Sequence, residues 1–190
     1  IRDRSVSRGL EMCIRDSITV GRLTKNKDHQ TLLEAFRLMN DKVPSRLLIL
    51  GEGPERASLE KIIAETGLAD RVQLPGFVDT PWAWMAKSSL FVLSSFAEGS
   101  GNVLTEAMAV GTPVVSTDCP SGPSEMLDGG RIAPLVPVGD AKALAAACID
   151  VLNSGIAASL LDEAVAPFKA EVAAKHYLAF MDVGVPSSTY

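Results

Sequence analysis

Glu98 and Glu106 flank a run of small residues, Gly99-Ser100-Gly101-Asn102-Val103. An ionised carboxylate offers acceptor sites only, so each of the two suits the hydroxyls of a ligand. The small residues leave main-chain amides accessible. Where such a turn opens a helix, the unpaired N–H groups of the first turn favour an anion. The combination fits a phosphate-bearing ligand flanked by hydroxyls. A second candidate group lies early in the chain, where Arg22, Lys25 and Lys27 fall within Gly21-Arg22-Leu23-Thr24-Lys25-Asn26-Lys27. Taken alone, those three cations read as a solvated turn.

The elements that must position these groups follow from hydropathic period. Leu90 to Leu93 is an apolar β-rich run ahead of Glu98, a short helix pattern carries Glu106, and Val114-Val115 is a second apolar run after Gly111 and Pro113. That is a strand, loop, helix, strand unit. Upstream, Ile18-Thr19-Val20 is a short strand feeding the cationic loop. Asp28 then caps a helix whose Leu32, Phe36 and Met39 recur at helical spacing. Leu47 to Leu50 is continuously apolar, as for a strand covered on both faces, and runs into Gly51-Glu52-Gly53-Pro54, with Pro54 expected as the first helical residue. Arg71 to Leu74 is expected as a third strand, followed by Pro75-Gly76-Phe77-Val78-Asp79 and a helix from Pro81 with Trp82, Trp84 and Met85. The two tryptophans read as packing residues. Ser121 to Leu127 suggests a helical turn, Ile132 to Val136 a strand broken by Pro134 and hence at an edge, and Asp140 the cap of a helix bearing Leu144, Cys148, Val151 and Leu152. Two helical segments, 157–165 and 168–181, close the pattern.

Strands alternating with helices imply a parallel sheet with right-handed crossovers: an α/β, doubly wound, Rossmann-like domain of about six strands with helices on both faces. In such sheets ligands sit beyond the carboxyl ends of the strands. Four successive strand ends carry GRLTKNK, GEGP, PGFVD and SFAEGSGN. Their shared placement raises Arg22 and Lys27 from a solvated turn to an anion site.

Composition bounds the rest. The chain has 190 residues, 47% apolar and 22% charged, enough for one domain with a sizeable core, and its net charge of −5 gives no general attraction to nucleic acid or anionic membrane. Apolar runs long enough to span a bilayer or form a signal peptide are lacking, and a cytoplasmic location is the expectation. Cys13, Cys119 and Cys148 are widely spaced and read as reduced thiols; His29 and His176 read as ordinary core or surface positions. Residues 1–17 repeat themselves, Ile1-Arg2-Asp3-Arg4 against Ile14-Arg15-Asp16-Ser17, and Met12 to Ser17 resembles a translated sequencing-adaptor end. We expect that segment to be an artefact of assembly or a disordered arm, 18–182 to be the domain, and 183–190 a flexible tail.

Several short strings resemble one family in the correct order: Gly21-Arg22-Leu23 with Lys27, Leu48-Ile49-Leu50-Gly51-Glu52-Gly53-Pro54, Gly76-Phe77-Val78, Glu98 with Glu106-Ala107-Met108-Ala109, and Gly111-Thr112-Pro113-Val114-Val115. The chain from about Ile18 to Ser154 resembles the donor-binding C-terminal half of glycosyltransferase family 4, one half of a GT-B fold. The resemblance implies a nucleotide-diphosphate sugar as donor, transfer with retention, and a glycan or lipid-linked acceptor. It implies no cofactor and no metal, and it allows peripheral membrane association of the full-length enzyme. Arg22 and Lys27 would bind the donor pyrophosphate and stabilise the leaving diphosphate, and Glu98 would orient the sugar. Glu106 would hold the ribose hydroxyls, and Val78 would contact the base through its main chain. Gly21, Gly51, Gly99, Ser100, Gly101, Asn102 and Val103 complete the implied donor site.

An Asp-x-Asp pair is absent from the sequence, in keeping with cationic side chains on the diphosphate, and so is a GxGxxG helix start, which counts against nicotinamide or flavin binding. Two departures stand out. The N-terminal acceptor domain of the family is expected to be missing, leaving this half inactive alone, and Ser124 stands where many relatives carry a basic residue. A nucleotide-sugar epimerase half and a flavodoxin-like phosphate- or nucleotide-binding module remain the alternatives.

Overall fold

The computed structural model describes residues 15–180. Six strands form one sheet: β1 (Arg15–Val20), β2 (Ser45–Leu50), β3 (Val72–Gly76), β4 (Leu90–Leu93), β5 (Val114–Thr117) and β6 (Leu135–Val136). Their order is β3-β2-β1-β4-β5-β6 and every pairing is parallel. Eight α-helices accompany them: α1 (His29–Asn40), α2 (Arg56–Glu65), α3 (Pro81–Met85), α4 (Asn102–Ala109), α5 (Pro123–Met126), α6 (Ala141–Ser154), α7 (Ala158–Val165) and α8 (Ala170–Phe180).

The apolar runs are continuous because both faces of the sheet are covered, and alternate residues serve opposite cores. Leu47, Ile49, Leu90, Val92, Val115 and Val136 pack against the buried faces of α1, α2 and α6. Ile18, Leu50, Phe91, Leu93 and Val114 pack on the other side with Met85 of α3, Leu104 and Met108 of α4, and Leu161 of α7. Helix α1 folds as its spacing dictates, with Leu32, Phe36 and Met39 buried and the Asp28 carboxylate accepting from the Thr31 amide at 3.3 Å. The Asp140 carboxylate caps α6 in the same way, at 2.9 Å from the Ala143 amide.

The first strand begins at Arg15, three residues before the apolar run that marks it in the sequence. Arg15, Asp16 and Ser17 pair with Ser45, Arg46 and Leu47, the Asp16 carboxylate meets the Arg46 guanidinium at 3.1 Å, and Ser17 is buried. Polar side chains at a strand start hide the alternation on which sequence reading depends, so the strand includes 15–17 as well as the apolar run. Residues 1–14 and the expected tail, 183–190, lie outside the described residues. Helix α2 starts at Arg56, two residues after Pro54, because a turn closed by the Arg56 amide on the Gly53 carbonyl (3.1 Å) comes first. The sixth strand shrinks to Leu135–Val136, since Asp128–Gly130 forms a 3-10 turn and Ile132 packs into the helix-side core. It is an edge strand, as Pro134 requires. β3 is the other edge and carries Pro75 at a register shift against β2.

Candidate functional site

The strand order switches sides between β1 and β4: β2 and β3 lie to one side of β1, while β4, β5 and β6 lie to the other. At such a point the loops leaving the two central strands diverge and open a crevice at the carboxyl edge of the sheet. Those two loops carry the cations and the carboxylate singled out above.

The loop after β1 is pinned by backbone. The Gly21 amide donates to the Leu50 carbonyl (3.0 Å), the Leu23 amide to the Glu52 carbonyl (2.9 Å), and the Glu55 amide to the Leu23 carbonyl (3.0 Å), while the Leu23 side chain is fully buried. The loop after β2 lies against it so closely that a Cβ on Gly51 would stand 1.9 Å from the Gly21 carbonyl oxygen, and Gly51 has φ +135°. Only glycine fits there. The next turn, the 3-10 segment Lys25–Lys27, ends at Asp28, and its side is tied to the loop after β4. The Phe96 amide donates to the Asn26 carbonyl (3.0 Å), and the Ser94 hydroxyl to the Lys27 carbonyl (2.8 Å).

Across this junction Lys27 reaches Glu98. Its Nζ lies 2.7 Å and 2.8 Å from the two carboxylate oxygens, with the side chains 18% and 8% exposed. The Ser95 hydroxyl, fully buried, donates to the same carboxylate at 2.5 Å, and the Thr117 hydroxyl in turn donates to the Ser95 carbonyl. The Glu98 carboxylate is therefore fixed by a cation and a hydroxyl, out of reach of most solvent. Cys119 sits nearby, buried, and its thiol is raised above the ordinary range first by burial and next by the Glu98 charge. It is protonated at neutral pH.

The remaining sequence candidates divide into two neighbouring surfaces. Arg22 is exposed and lines a cleft of about 370 Å³ with Gly21, Gly51 and Val78; Phe77, 76% exposed, and Pro81 supply much of its apolar wall. On the other side, Gly99, Ser100 and Asn102 line a wider hollow of about 700 Å³ facing Gly122, Glu125, Arg131 and Phe168. Gly101 adopts a left-handed conformation as the residue before α4 and offers no side-chain cap, and α4 has no acidic residue in its first turn. The amides there are unclaimed by any acidic side chain. Val103 is half-buried and packs against the core, and Glu106 is exposed one turn further along. Thus Lys27 and Glu98 meet directly, Arg22 shares a cleft with Gly21, Gly51 and Val78, and Glu106 makes no ion pair among the described residues.

Ser95, Thr117 and Asn26 were not among the sequence candidates. Ser95 and Thr117 leave only the trace of a small polar residue where an apolar strand ends, and Asn26 lies within the cationic loop. His29, the first residue of α1, is a core position, with its Nδ1 unpartnered and its pKa lowered to about 4 by burial and then by the Lys27 charge.

Comparison with known proteins gives the family. Residues 15–154 match the family model "Glycosyl transferases group 1". Among curated relatives, a Campylobacter jejuni N-acetylgalactosamine-N,N'-diacetylbacillosaminyl-diphospho-undecaprenol 4-alpha-N-acetylgalactosaminyltransferase is 39% identical over 121 residues, covering 64% of this chain and 33% of the relative. A Bacillus anthracis N-acetyl-alpha-D-glucosaminyl L-malate synthase is 33% identical over 136 residues, covering 72% and 35%. Among solved structures, a Staphylococcus aureus TarM variant in complex with fondaparinux, alpha-GlcNAc-glycerol and UDP superposes with a TM-score of 0.79 at 22% identity, covering 93% of this chain and 37% of that one. The likeness to such GT-B structures bears out the α/β Rossmann-like sheet. The chain spans about a third of the length of the curated relatives it matches. It belongs to the group 1 glycosyl transferases.

Proposed function

We propose that the chain is the donor-binding half of a retaining, family 4 glycosyltransferase that uses a nucleotide-diphosphate sugar. The observation that carries this reading is the placement of Lys27 against Glu98 at the strand-order reversal, with the Arg22 cleft beside it. The base would lie in the apolar cleft against Phe77 and Pro81, with main-chain groups at Val78 reading its edge and Glu106 taking the ribose hydroxyls. The diphosphate would lie between Arg22, Lys27 and the amides from Gly99 to Val103. Those positive groups would stabilise the charge that grows on the diphosphate as the bond from the anomeric carbon to the phosphate oxygen breaks. They would do so without a metal or cofactor.

Glu98 would accept from the sugar hydroxyls and set the ring against the diphosphate. The acceptor, a glycan or a lipid-linked saccharide, would be held by a further domain. Transfer would then require that domain, because positioning and exclusion of water both depend on a closed cleft. A cytoplasmic location, with peripheral attachment where the acceptor is a membrane lipid, fits the same reading.

The test is thermal unfolding of this chain against UDP, GDP and ADP and their sugar conjugates, with Glu106→Ala in parallel. A ligand that binds only the folded state raises the midpoint in proportion to ln(1 + [L]/Kd). A rise with one nucleotide, lost in Glu106→Ala, is expected. A rise that survives Glu106→Ala removes the ribose assignment, and no rise with any nucleotide at millimolar concentration removes the donor-site reading.

A further inference from the structure

The Lys27–Glu98 contact has a consequence for which ligand the site prefers. An ammonium has three N–H groups, and two of those on Lys27 already face the carboxylate oxygens of Glu98. That carboxylate is only 8% exposed and is fixed by the buried Ser95 hydroxyl, whose own residue is held through its carbonyl by Thr117. An arriving terminal phosphate therefore meets a cation that is largely neutralised and a negative charge with little water to screen it. A free nucleoside diphosphate ends in a monosubstituted phosphate, bound only through its anhydride oxygen, whose second ionisation lies near neutrality, so it carries close to one charge more than the glycosylated donor. The donor also brings sugar hydroxyls that can donate to the Glu98 carboxylate, and the product lacks that sugar.

Resting on the functional reading above, we infer that Glu98 makes the site select the sugar-bearing donor over its nucleoside diphosphate product, with Ser95 as the positioning residue that fixes the carboxylate. The carboxylate repels the bare terminal phosphate and trades Lys27 for sugar hydroxyls when the donor binds. Product leaves as the pair re-forms.

The test is isothermal titration of this chain, and of its Glu98→Gln and Ser95→Ala variants, with the nucleoside diphosphate that raises the thermal midpoint and with its sugar conjugate. In Glu98→Gln the diphosphate is expected to bind about ten-fold tighter, while the conjugate binds no tighter than in the wild type, so the preference for donor collapses. In Ser95→Ala the same ratio should fall about three-fold, a readout that mere loss of packing would not move. The inference is overturned if Glu98→Gln weakens or strengthens both ligands by the same factor, or weakens the diphosphate more than the conjugate. Should that variant fail to fold, an unchanged ratio in Ser95→Ala overturns it alone. Wild-type protein that binds neither ligand removes the functional reading, and the inference falls with it.

Discussion

The two sides of the loop that leaves β1 are held in different ways. Toward β2 the contact is backbone on backbone: Gly51 lies on the Gly21 carbonyl, Gly53 lies on the Leu23 carbonyl, and the hydrogen bonds between them run amide to carbonyl. Toward β4 a single backbone bond, from the Phe96 amide to the Asn26 carbonyl, is joined by side-chain contacts, Lys27 to Glu98 and Ser94 to the Lys27 carbonyl, with Ser95 behind. A backbone contact fixes a shape and tolerates no added atom. A contact between charged side chains fixes a charge balance, and a ligand can exchange with it. The rigid side frames the apolar cleft, and the exchangeable side lies where a diphosphate would replace one partner.

Substitution separates the two sides, with the largest effect on the rigid one. Gly51→Ala would drive a Cβ to 1.9 Å from the Gly21 oxygen in a conformation with φ +135°, and backbone on both sides would have to move. We expect a loss of about 3 kcal/mol or more in urea unfolding. Gly139→Ala, also at positive φ (+76°) but with open space around it, should cost about 1 kcal/mol. Equal costs would mean that the close approach of the two loops does not decide the cleft.

On the exchangeable side, Lys27→Met leaves the Glu98 carboxylate with Ser95 as its remaining hydrogen-bond partner. Breaking a buried pair at one end costs 3 to 5 kcal/mol, and the partial exposure of Lys27 lowers the expectation to about 2 kcal/mol. Adding Glu98→Gln to Lys27→Met should recover part of that loss, because no unpaired charge is left behind. A double-mutant cycle on urea unfolding reads the coupling directly. Additive costs would mean that the pair is not an energetic unit.

His29 adds a pH dependence to the root of the same loop. Its folded pKa, about 4, lies below the unfolded value of 6.5, so at mildly acidic pH the unfolded chain takes up a proton that the folded chain refuses. The stability linked to His29 is present above the unfolded value and declines as pH falls from about 6.5 toward 4. The expected loss is about 2 kcal/mol by pH 5. Urea midpoints at pH 5 and pH 7 measure it, and His29→Leu should abolish this part of the slope.

How much of this was legible in the sequence depends on the range of the signal. Continuous apolar runs such as Leu47 to Leu50 and Leu90 to Leu93 identify strands covered on both faces, and Asp28 and Asp140 mark helix starts through their own side chains. Those features are local. Arg15 to Ser17 escaped because polar residues begin that strand and only its partner, Ser45 to Leu47, reveals it. The meeting of Lys27 with Glu98, 71 residues apart, depends on β1 lying beside β4, and no local pattern states that order. Convergence at the strand ends pointed to loops that the sheet does bring together, but the burial of Glu98 and its contact with Ser95 required the packed sheet.

Arg22 gives the smallest effect on folding and the sharpest test of the comparison. Its side chain is exposed, points to no ion pair among the described residues, and lines the rigid cleft without holding it together. The loop beneath it is fixed by Gly21 and Leu23 amides and by the buried Leu23 side chain, none of which Arg22→Ala touches. We therefore expect urea stability to change by less than about 0.5 kcal/mol. If the proposed donor site is right, nucleoside diphosphate binding should weaken about ten-fold in the same variant. Loss of stability with affinity intact would assign Arg22 to the framework and leave Lys27 alone with the diphosphate.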